Sequence, residues 1–378
     1  MRQMPLPAGL GFIQFPLPGY NQTDFTQFND SAEQITFFMT SALRDADPSR
    51  LHYLPMQMRA VYDYLSKDID VVLLQVAHDR NGVLRIGPNV DFIDAALASA
   101  SVVVAELNDA FVAPAGCPRI NEARIDHLVC SSRPLYEMQS PKIDAAAQAI
   151  GLLVAQLIRD GDCLQTGIGA IPAAILGSLG EKNDLGMHGG LIDDGGMRLI
   201  ESGVLNGSRK AIEAGLHTVG MALGTQALID WLAERDDVLF RGANHTHEVA
   251  SIRQLDNFVS INSAVEIDLF GQVNAEFAGG KQISGTGGSV DFMRAAKASK
   301  GGRSIVAMNA TARGGSISRI VPKVEMVTAL RTDVDIVVTE FGVADIKHLP
   351  NQARAEALIE IAAPDFRDEL REDLHNRS

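Results

Sequence analysis

Short, almost continuously apolar runs alternate along this chain with longer segments whose apolar residues recur at helical spacing. This alternation constrains the fold more than any other feature. The first clear set is an apolar run at residues 70–76, a helical pattern at 92–98 and a second apolar run at 101–107. Runs of this length are typical of strands buried on both faces. Two such strands joined through a helix predict a parallel pair with a crossover connection.

The same alternation continues through the rest of the chain. Residues 142–158 are rich in alanine, and their apolar spacing predicts a long helix that opens a second domain. The segments beyond it predict strands at 163–166, 218–223, 238–240, 258–261, 304–308 and 334–338, and helices at 171–179, 225–231 and 352–374. These repeated units predict an α/β fold with open, mostly parallel sheets and helices on both faces. Ligand sites in such sheets lie at the carboxyl ends of the strands.

The chain length predicts two domains, because 378 residues exceed the usual domain size of about 150 residues more than twofold. We place the boundary ahead of the alanine-rich helix. This gives an N-terminal domain at 1–141 and a C-terminal domain at 142–378. The first 60 residues are rich in Phe, Pro, Asn and Gln and show only weak periodicity.

The composition excludes several classes of protein. Acidic residues outnumber basic ones by 47 to 33, which gives a formal net charge of −14 and argues against a non-specific nucleic-acid binder. No run of 18 apolar residues occurs, so no membrane span is predicted. The three cysteines, Cys117, Cys130 and Cys163, are scattered, which predicts neither a disulfide framework nor a metal site. A reduced, cytoplasmic setting is therefore expected.

Two glycine-rich loops have the features of ligand sites. The loop at 165–172 joins a predicted strand to a predicted helix, and exposed N–H groups at a helix start suit an anion or an acyl oxygen. A tight turn that needs positive φ is an equal alternative for this loop. The densest glycines lie at 271–276 and 285–292, where a ligand could approach the main chain closely. Asp291 is predicted to cap the helix that follows.

Two further glycine loops carry polar residues for which a structural role is favoured. The loop at 186–196 holds His188 and the pair Asp193 and Asp194. A structural histidine and a solvated turn are favoured there over acid–base chemistry. The loop at 314–319 ends in Arg319, which either a phosphate or a surface ion pair would engage.

Reactive side chains concentrate directly after the predicted strand at 238–240. They are Asn244, His245, His247 and Glu248. A His-x-His pair is compatible with a metal ion, but no third ligand follows at helical or strand spacing, so no metal site is predicted. General-base chemistry by a histidine together with the glutamate is favoured instead.

These loops, together and in this order, resemble the acetyl-CoA hydrolase/transferase family of class I coenzyme A transferases. The stretches that carry the likeness are LQTGIGAIP at 164–172, SINSAVEIDLFGQVNAE at 260–276, GTGGSVDF at 285–292, SRIVP at 318–322, VTEFGVAD at 338–345 and APDFR at 363–367. The resemblance implies two related α/β domains with the active site between them. It also implies that the N-terminal domain is incomplete at its start.

The resemblance further implies an enzyme that uses acyl-CoA and a small carboxylate, with coenzyme A as a substrate, no permanently bound cofactor and a homo-oligomeric assembly. In the family, a glutamate attacks the thioester to give an acyl anhydride. CoA then forms a thioester with that glutamate, and a second carboxylic acid takes the CoA away. The residues that would hold CoA and the acyl group are Gly167, Gly169, Ala170, Gln272, Asn274, Gly285, Gly287, Gly288 and Asp291.

One position departs from the family pattern. Counted back without a gap from residues 258–264, the place of the family's glutamate holds Asn244, whose neutral amide cannot form the anhydride in the same way. Three alternatives stay open. Glu248 substitutes for the glutamate, or a water activated by His245, His247 or Glu248 hydrolyses the thioester while Asn244 binds the oxyanion. In the third, the protein binds CoA without catalysis.

Overall fold

The fold is an alternation of helices and short strands, in a computed structural model that describes residues 7–17 and 19–376. The helices are α1 (Met58–Leu65), α2 (Ile93–Ser99), α3 (Ala145–Leu157), α4 (Ala170–Gly177), α5 (Asp194–Glu201), α6 (Gln226–Ala233), α7 (Ala243–Thr246), α8 (Val249–Ile252), α9 (Ser289–Ala298), α10 (Asn351–Glu360) and α11 (Arg367–His375). Within the described residues, no helix is both long and apolar enough to cross a membrane.

The strands are short, and most pair in parallel. The strands before residue 141 are β1 (Gly11–Gln14), β2 (Glu33–Thr36), β3 (Leu51–Tyr53), β4 (Val71–His78), β5 (Leu84–Ile86), β6 (Val102–Asn108) and β7 (His127–Ser131). Those after it are β8 (Cys163–Gln165), β9 (Gly186–Met187), β10 (Leu191–Ile192), β11 (His217–Val219), β12 (Met221–Ala222), β13 (Val238–Phe240), β14 (Phe258–Asn262), β15 (Glu266–Asp268), β16 (Val273–Asn274), β17 (Phe277–Ala278), β18 (Lys281–Gln282), β19 (Arg303–Ala307), β20 (Thr311–Ala312), β21 (Ile317–Ser318), β22 (Ile320–Val321), β23 (Ile336–Thr339) and β24 (Gly342–Asp345).

The largest sheet has six strands in the order β24-β23-β19-β14-β8-β9, and only the edge strand β24 runs antiparallel to its neighbour. Successive side chains of a strand point to opposite faces. Ile305 of β19 packs on one face in the same apolar cluster as Ile150 of α3 and Ile175 of α4. Its neighbour Val306 packs on the other face with Met293 of α9 and Leu358 of α10. Helices therefore cover both faces, as the predicted α/β fold requires.

The first part of the chain forms two smaller sheets. In one, β4 and β6 are parallel and α2 connects them, which confirms the predicted strand–helix–strand unit. The other consists of β1, β2 and β3, all parallel, in the segment whose sequence shows weak periodicity. The main apolar core joins Val76 and Val103 from this part to Ile150 and Val338 from the rest. The boundary between residues 141 and 142 stays a prediction.

Three local predictions are wrong. The helix predicted at 352–374 is two helices, α10 and α11, separated at residues 361–366, where Pro364 lies. The strand predicted at 218–223 divides at Gly220 into β11, which pairs with β13, and β12, which pairs with β10. The division occurs where the Gly220 main chain passes against the buried carboxyl of Asp91. Asp291 does not cap α9, because Gly288 is the N-cap residue and Asp291 lies inside the first turn.

The contact at Gly220 predicts a loss of stability on substitution. A Cβ at this position would lie 1.9 Å from Oδ1 of Asp91, so Gly220→Ala should lower the free energy of unfolding by about 1–3 kcal/mol through overpacking. Urea denaturation followed by circular dichroism measures the change. Gly180→Ala is the matched control, because its Cβ would meet nothing within 4 Å. Equal midpoints for the two variants would contradict the prediction.

Candidate functional site

The loop at 285–288 precedes α9 and packs against residues 37–58 of the early part of the chain. We call this contact region the seam. The loop backbone is tied to the early segment by two main-chain bonds, from the N–H of Met39 to the carbonyl of Ser284 and from the N–H of Met58 to the carbonyl of Gly287, each 3.3 Å long. The Thr286 hydroxyl donates to the carbonyl of Met56 at 2.6 Å. These contacts fix the loop without using the N–H groups of its glycines.

His247 closes the other side of the seam. A Cβ on Gly288 would lie 2.4 Å from Nε2 of His247, and a Cβ on Gly190 would lie 3.3 Å from its Cε1. The imidazole packs on the Phe292 ring with centroids 4.4 Å apart, and the Thr246 hydroxyl lies 2.9 Å from Nδ1. Burial lowers the pKa of His247 to about 3. The ring is therefore neutral at physiological pH.

Glu248 stands at the start of α8 and is held by two donors. Its Oε1 accepts the N–H of Ala250 at 3.0 Å, which makes it the N-cap residue of that helix. Its Oε2 accepts Nε of Arg59 at 2.7 Å. The bond from Ala250 and the charge of Arg59 lower the pKa of Glu248, so its side chain is an ionised carboxylate.

Arg59 connects three carboxylates of the seam. In addition to Glu248, its guanidinium pairs with Asp63 at 2.7 Å, and its backbone N–H donates to Oδ2 of Asp291 at 3.2 Å. Burial raises the pKa of Asp291 to about 7. The sequence gives no local sign of this role, because Arg59 lies 189 residues from Glu248 and 232 from Asp291.

The other two residues predicted after β13 face elsewhere. The strand ends at Phe240, as predicted, and Asn244 lies exposed in the short helix α7. His245 is half-buried, with Nε2 3.3 Å from Oε1 of Glu213. The structure therefore brings His247 and Glu248 to the seam, while His245 turns toward Glu213 and Asn244 toward solvent.

Some of the residues predicted to hold CoA in the other glycine loops border free space, whereas others are engaged in hydrogen bonds within the protein. A Cβ on Gly167 or Gly169 would meet nothing within 4 Å, and Gly169, with φ of 109°, is the N-cap residue of α4, next to Ala170. Gln272 instead donates to Oδ2 of Asp268 at 2.8 Å, and Asn274 donates to the carbonyl of Phe277 at 2.8 Å. Those two amides stabilise their own turn.

Glu276 anchors the segment that leads into the seam loop. The carboxylate is buried and accepts three hydrogen bonds, from the Tyr53 hydroxyl at 2.7 Å, Gln282 Nε2 at 2.8 Å and the Thr328 hydroxyl at 2.9 Å. Burial and the bond to Glu276 raise the pKa of Tyr53. The sequence places Glu276 beside a turn, but its partners come from segments too distant for any pattern to show.

Asp91 lies behind α7 as a buried carboxyl group. Neither carboxyl oxygen has a hydrogen-bond partner among the described residues, and burial raises the pKa of the group to about 8. The Asp91 carbonyl accepts the N–H of Ala243 at 2.8 Å, at the first residue of α7. Asp91 is therefore a neutral acid that holds the start of this helix.

The sequence of this chain matches one family of known proteins. The model of the acetyl-CoA hydrolase/transferase C-terminal domain matches residues 224–374. A 4-hydroxybutyrate coenzyme A transferase of Clostridium kluyveri is 40% identical over 348 residues, covering 90% of this chain and 81% of that enzyme. The chain belongs to the acetyl-CoA hydrolase/transferase family. It is an enzyme of the transferase/hydrolase type, as the resemblance implies.

Similar solved structures confirm the fold. RipA from Yersinia pestis superposes with a TM-score of 0.91 at 31% identity, over 98% of this chain and 88% of that one. A 4-hydroxybutyrate CoA-transferase from Porphyromonas gingivalis gives a TM-score of 0.79 at 31% identity, over 99% and 95% of the two chains. The replacement of the family's glutamate by Asn244, and the individual site residues, stay predictions.

The bond from Tyr53 to Glu276 predicts a stability effect. Tyr53→Phe removes one of three donors to a buried carboxylate and should lower the free energy of unfolding by about 1.5–3 kcal/mol, as for hydrogen bonds to charged groups. Urea denaturation measures it. Tyr64→Phe is the control, because Tyr64 is 36% exposed. A loss no larger than that of the control would contradict the role of this bond.

The buried Asp91 predicts a dependence of stability on pH. The native state keeps a proton up to about pH 8, whereas the unfolded carboxyl releases it near pH 4. Between these values the native state binds more protons, so Asp91 makes stability fall as pH rises, by at most about 1.4 kcal/mol per pH unit. The contribution is fully present below pH 4 and is lost by pH 8.

Asp91→Asn should therefore flatten the decline of unfolding free energy between pH 4 and pH 8, as measured by urea titrations at several pH values. The amide does not titrate, so the difference between wild type and variant must change with pH. Asp68→Asn, at an exposed carboxyl, is the control. Parallel curves for wild type and Asp91→Asn would show that the carboxyl is ionised in the native state.

Proposed function

We propose that this chain transfers coenzyme A from an acyl-CoA to a small carboxylic acid. The observation that carries the proposal is the 40% identity to a 4-hydroxybutyrate CoA transferase over 81% of that enzyme. Acyl-CoA and a small carboxylate are then the two substrates. Coenzyme A enters and leaves as a substrate and is not a resident cofactor.

Main-chain N–H groups of the glycine loops at 165–172 and 285–292 would bind the acyl-CoA, although the overall charge of the chain is unfavourable. A net charge of −14 repels the phosphates of CoA, so local groups must hold them. The main chain at Gly167 and Gly169 borders free space at the start of α4, where N–H groups suit an acyl oxygen or an anion. The loop at 285–288 presents glycine main chain in the seam, where N–H groups would stabilise the oxyanion of the attacked thioester.

The covalent step needs an ionised carboxylate at the seam, and we take it to be Glu248. One of its oxygens attacks the thioester carbonyl, the C–S bond breaks, and CoA leaves as thiolate with an acyl–glutamyl anhydride behind it. The thiolate then attacks the glutamyl carbonyl, releases the first carboxylate and forms a glutamyl–CoA thioester. The second carboxylate takes over the CoA by the reverse sequence. Arg59 keeps Glu248 ionised and must release Oε2 for the attack.

Hydrolysis of the thioester is the second candidate function. It is favoured by the engagement of both Glu248 oxygens, by Ala250 and by Arg59. It is also favoured by the neutral amide of Asn244 at an exposed position. A water activated by His247 or Glu248 would then attack the carbonyl, while His245 faces Glu213 and Asn244 faces solvent.

The proposal includes a homo-oligomer in a reducing, cytoplasmic setting. The outer face of the sheet β5-β4-β6-β7 exposes Val71 and Leu73 of β4 at 50% and 68%, and Val129 of β7 at 56%. Contiguous apolar patches mark association surfaces, so a second copy of the chain would cover this face. The free thiols of Cys117, Cys130 and Cys163 suit a reducing compartment.

Trapping of the covalent intermediate separates the two functions. The protein is incubated with butyryl-CoA, treated with borohydride or hydroxylamine, digested and analysed by mass spectrometry. In a separate assay, the protein is incubated with butyryl-CoA and acetate, and the formation of acetyl-CoA measures exchange. Transfer predicts a modified Glu248 and formation of acetyl-CoA. An adduct on another glutamate would contradict the role of Glu248. Release of free thiol with no adduct and no acetyl-CoA would establish hydrolysis.

Glu248→Gln should reduce the exchange rate more than about 10³-fold, because the amide is no nucleophile. Asp63→Asn is a matched control, since Asp63 also pairs with Arg59 at 2.7 Å but its side chain is 67% exposed. That variant should stay within about twofold of wild type. Exchange retained by Glu248→Gln would exclude Glu248 as the nucleophile.

A further inference from the structure

Three side chains from distant segments meet beside α7. His188 follows β9, Glu213 lies in the turn before β11, and His245 lies in α7 itself. One nitrogen from each imidazole and one carboxylate oxygen all lie within 4.8 Å of one another. No third ligand lies near His245 in the sequence, because the fold supplies the other two from 32 and 57 residues earlier in the chain.

One of the three donor–donor distances has the length expected in a first coordination shell. Bonds of about 2.0–2.1 Å to nitrogen and oxygen in a tetrahedron separate neighbouring ligand atoms by about 3.3–3.4 Å. Nε2 of His245 lies 3.3 Å from Oε1 of Glu213. A nitrogen of His188 lies within 4.8 Å of a ligand atom of each of these two side chains, and the two imidazole rings have centroids 5.5 Å apart.

The buried imidazole nitrogens of the group have no hydrogen-bond partner among the described residues. His188 is fully buried, and neither of its ring nitrogens has a hydrogen-bond partner among the described residues. Nε2 of His245 likewise has no partner with hydrogen-bond geometry, although it lies at ion-pair distance from Glu213. A buried polar group without a partner lowers the stability of the folded state. A ligand bound to His188 would therefore stabilise the protein.

We propose that His188, Glu213 and His245 form a binding site for a divalent transition metal of the Zn²⁺ type. Two imidazoles and one carboxylate are a donor set that such ions prefer over the oxygen-only sets of Mg²⁺ or Ca²⁺. The side chains of His245 and Glu213 are 31% and 18% exposed, whereas Nε2 of His245 is itself buried, so the site lies just below the surface. The ion would pin α7, which carries Asn244 and precedes His247.

Two cationic side chains, Lys210 and Arg241, lie next to the proposed site, and Arg241 provides a further test. Nζ of Lys210 donates to the carbonyls of Met187 and Leu216 and to the Thr218 hydroxyl. The Thr218 hydroxyl in turn donates to Oε2 of Glu213, which leaves Oε1 for the ion. Nε of Arg241 lies 4.0 Å from Oε1, on a side chain that is 44% exposed. A bound ion would replace Arg241 as the counter-charge, so removal of Arg241 should tighten binding.

The test is calorimetric titration of the EDTA-treated full chain with Zn²⁺, together with the d–d absorption of bound Co²⁺. We expect one site per chain, an affinity at least tenfold weaker in Glu213→Gln and in His245→Asn, and a tighter site in Arg241→Ala. His348→Asn, at an exposed histidine, is the control. Zn²⁺ should also raise the melting temperature of the wild type but not of Glu213→Gln.

Two results would overturn the proposal. One is the absence of stoichiometric binding by the wild type, which would leave Glu213 and His245 as an ion pair only. The other is equal binding by wild type, Glu213→Gln and His245→Asn, which would place the ion elsewhere. Both variants change partly exposed side chains, and circular dichroism shows whether they keep the native fold.

Discussion

The seam depends on two glycines, Gly285 and Gly288, whose main chain packs so closely that no side chain would fit. A Cβ on Gly285 would lie 2.3 Å from the carbonyl oxygen of Phe37, and one on Gly288 would lie 2.4 Å from Nε2 of His247. The loop between them is thereby held from both sides by groups that are 210 residues apart in the chain. Because the contact is this close, Arg59 can reach Glu248 and Tyr53 can reach Glu276. The position of each proposed reactive group follows from this packing.

Burial divides the titratable groups around α7 and α8 into two sets. Glu248 keeps its charge because Ala250 and Arg59 donate to it, whereas Asp91 loses its charge because no donor reaches it. His247 is also neutral, because burial lowers the pKa of its imidazole. A carboxylate, a carboxylic acid and a neutral imidazole therefore coexist around α7 and α8 at one pH. Pairs of groups with such separated pKa values are typical of catalytic sites.

Apolar periodicity predicts much of this fold, because strands buried on both faces and amphipathic helices each have a distinct period. It correctly predicts β4, α2, β6 and four strands of the six-stranded sheet, β8, β14, β19 and β23, but not its edge strands β9 and β24, of which β9 has only two residues. It does not reveal β1, β2 and β3, whose segment is rich in Phe and Pro. The family motifs locate the glycine loops, but Arg59, Tyr53 and Glu213 act through contacts between remote segments, which leave no spacing in the sequence. Asp291 is wrongly predicted as a cap because Gly288 ends the loop before it.

The apolar core that joins Val76 and Val103 to Ile150 and Val338 has a consequence for synthesis of the chain. The ribosome delivers β4 and β6 long before the strand that contains Val338. Until then, part of the core around β4 and β6 lacks its partners and exposes apolar surface. The chain must therefore pass through a nascent state with an unfinished core, in which binding of a chaperone would compete with aggregation.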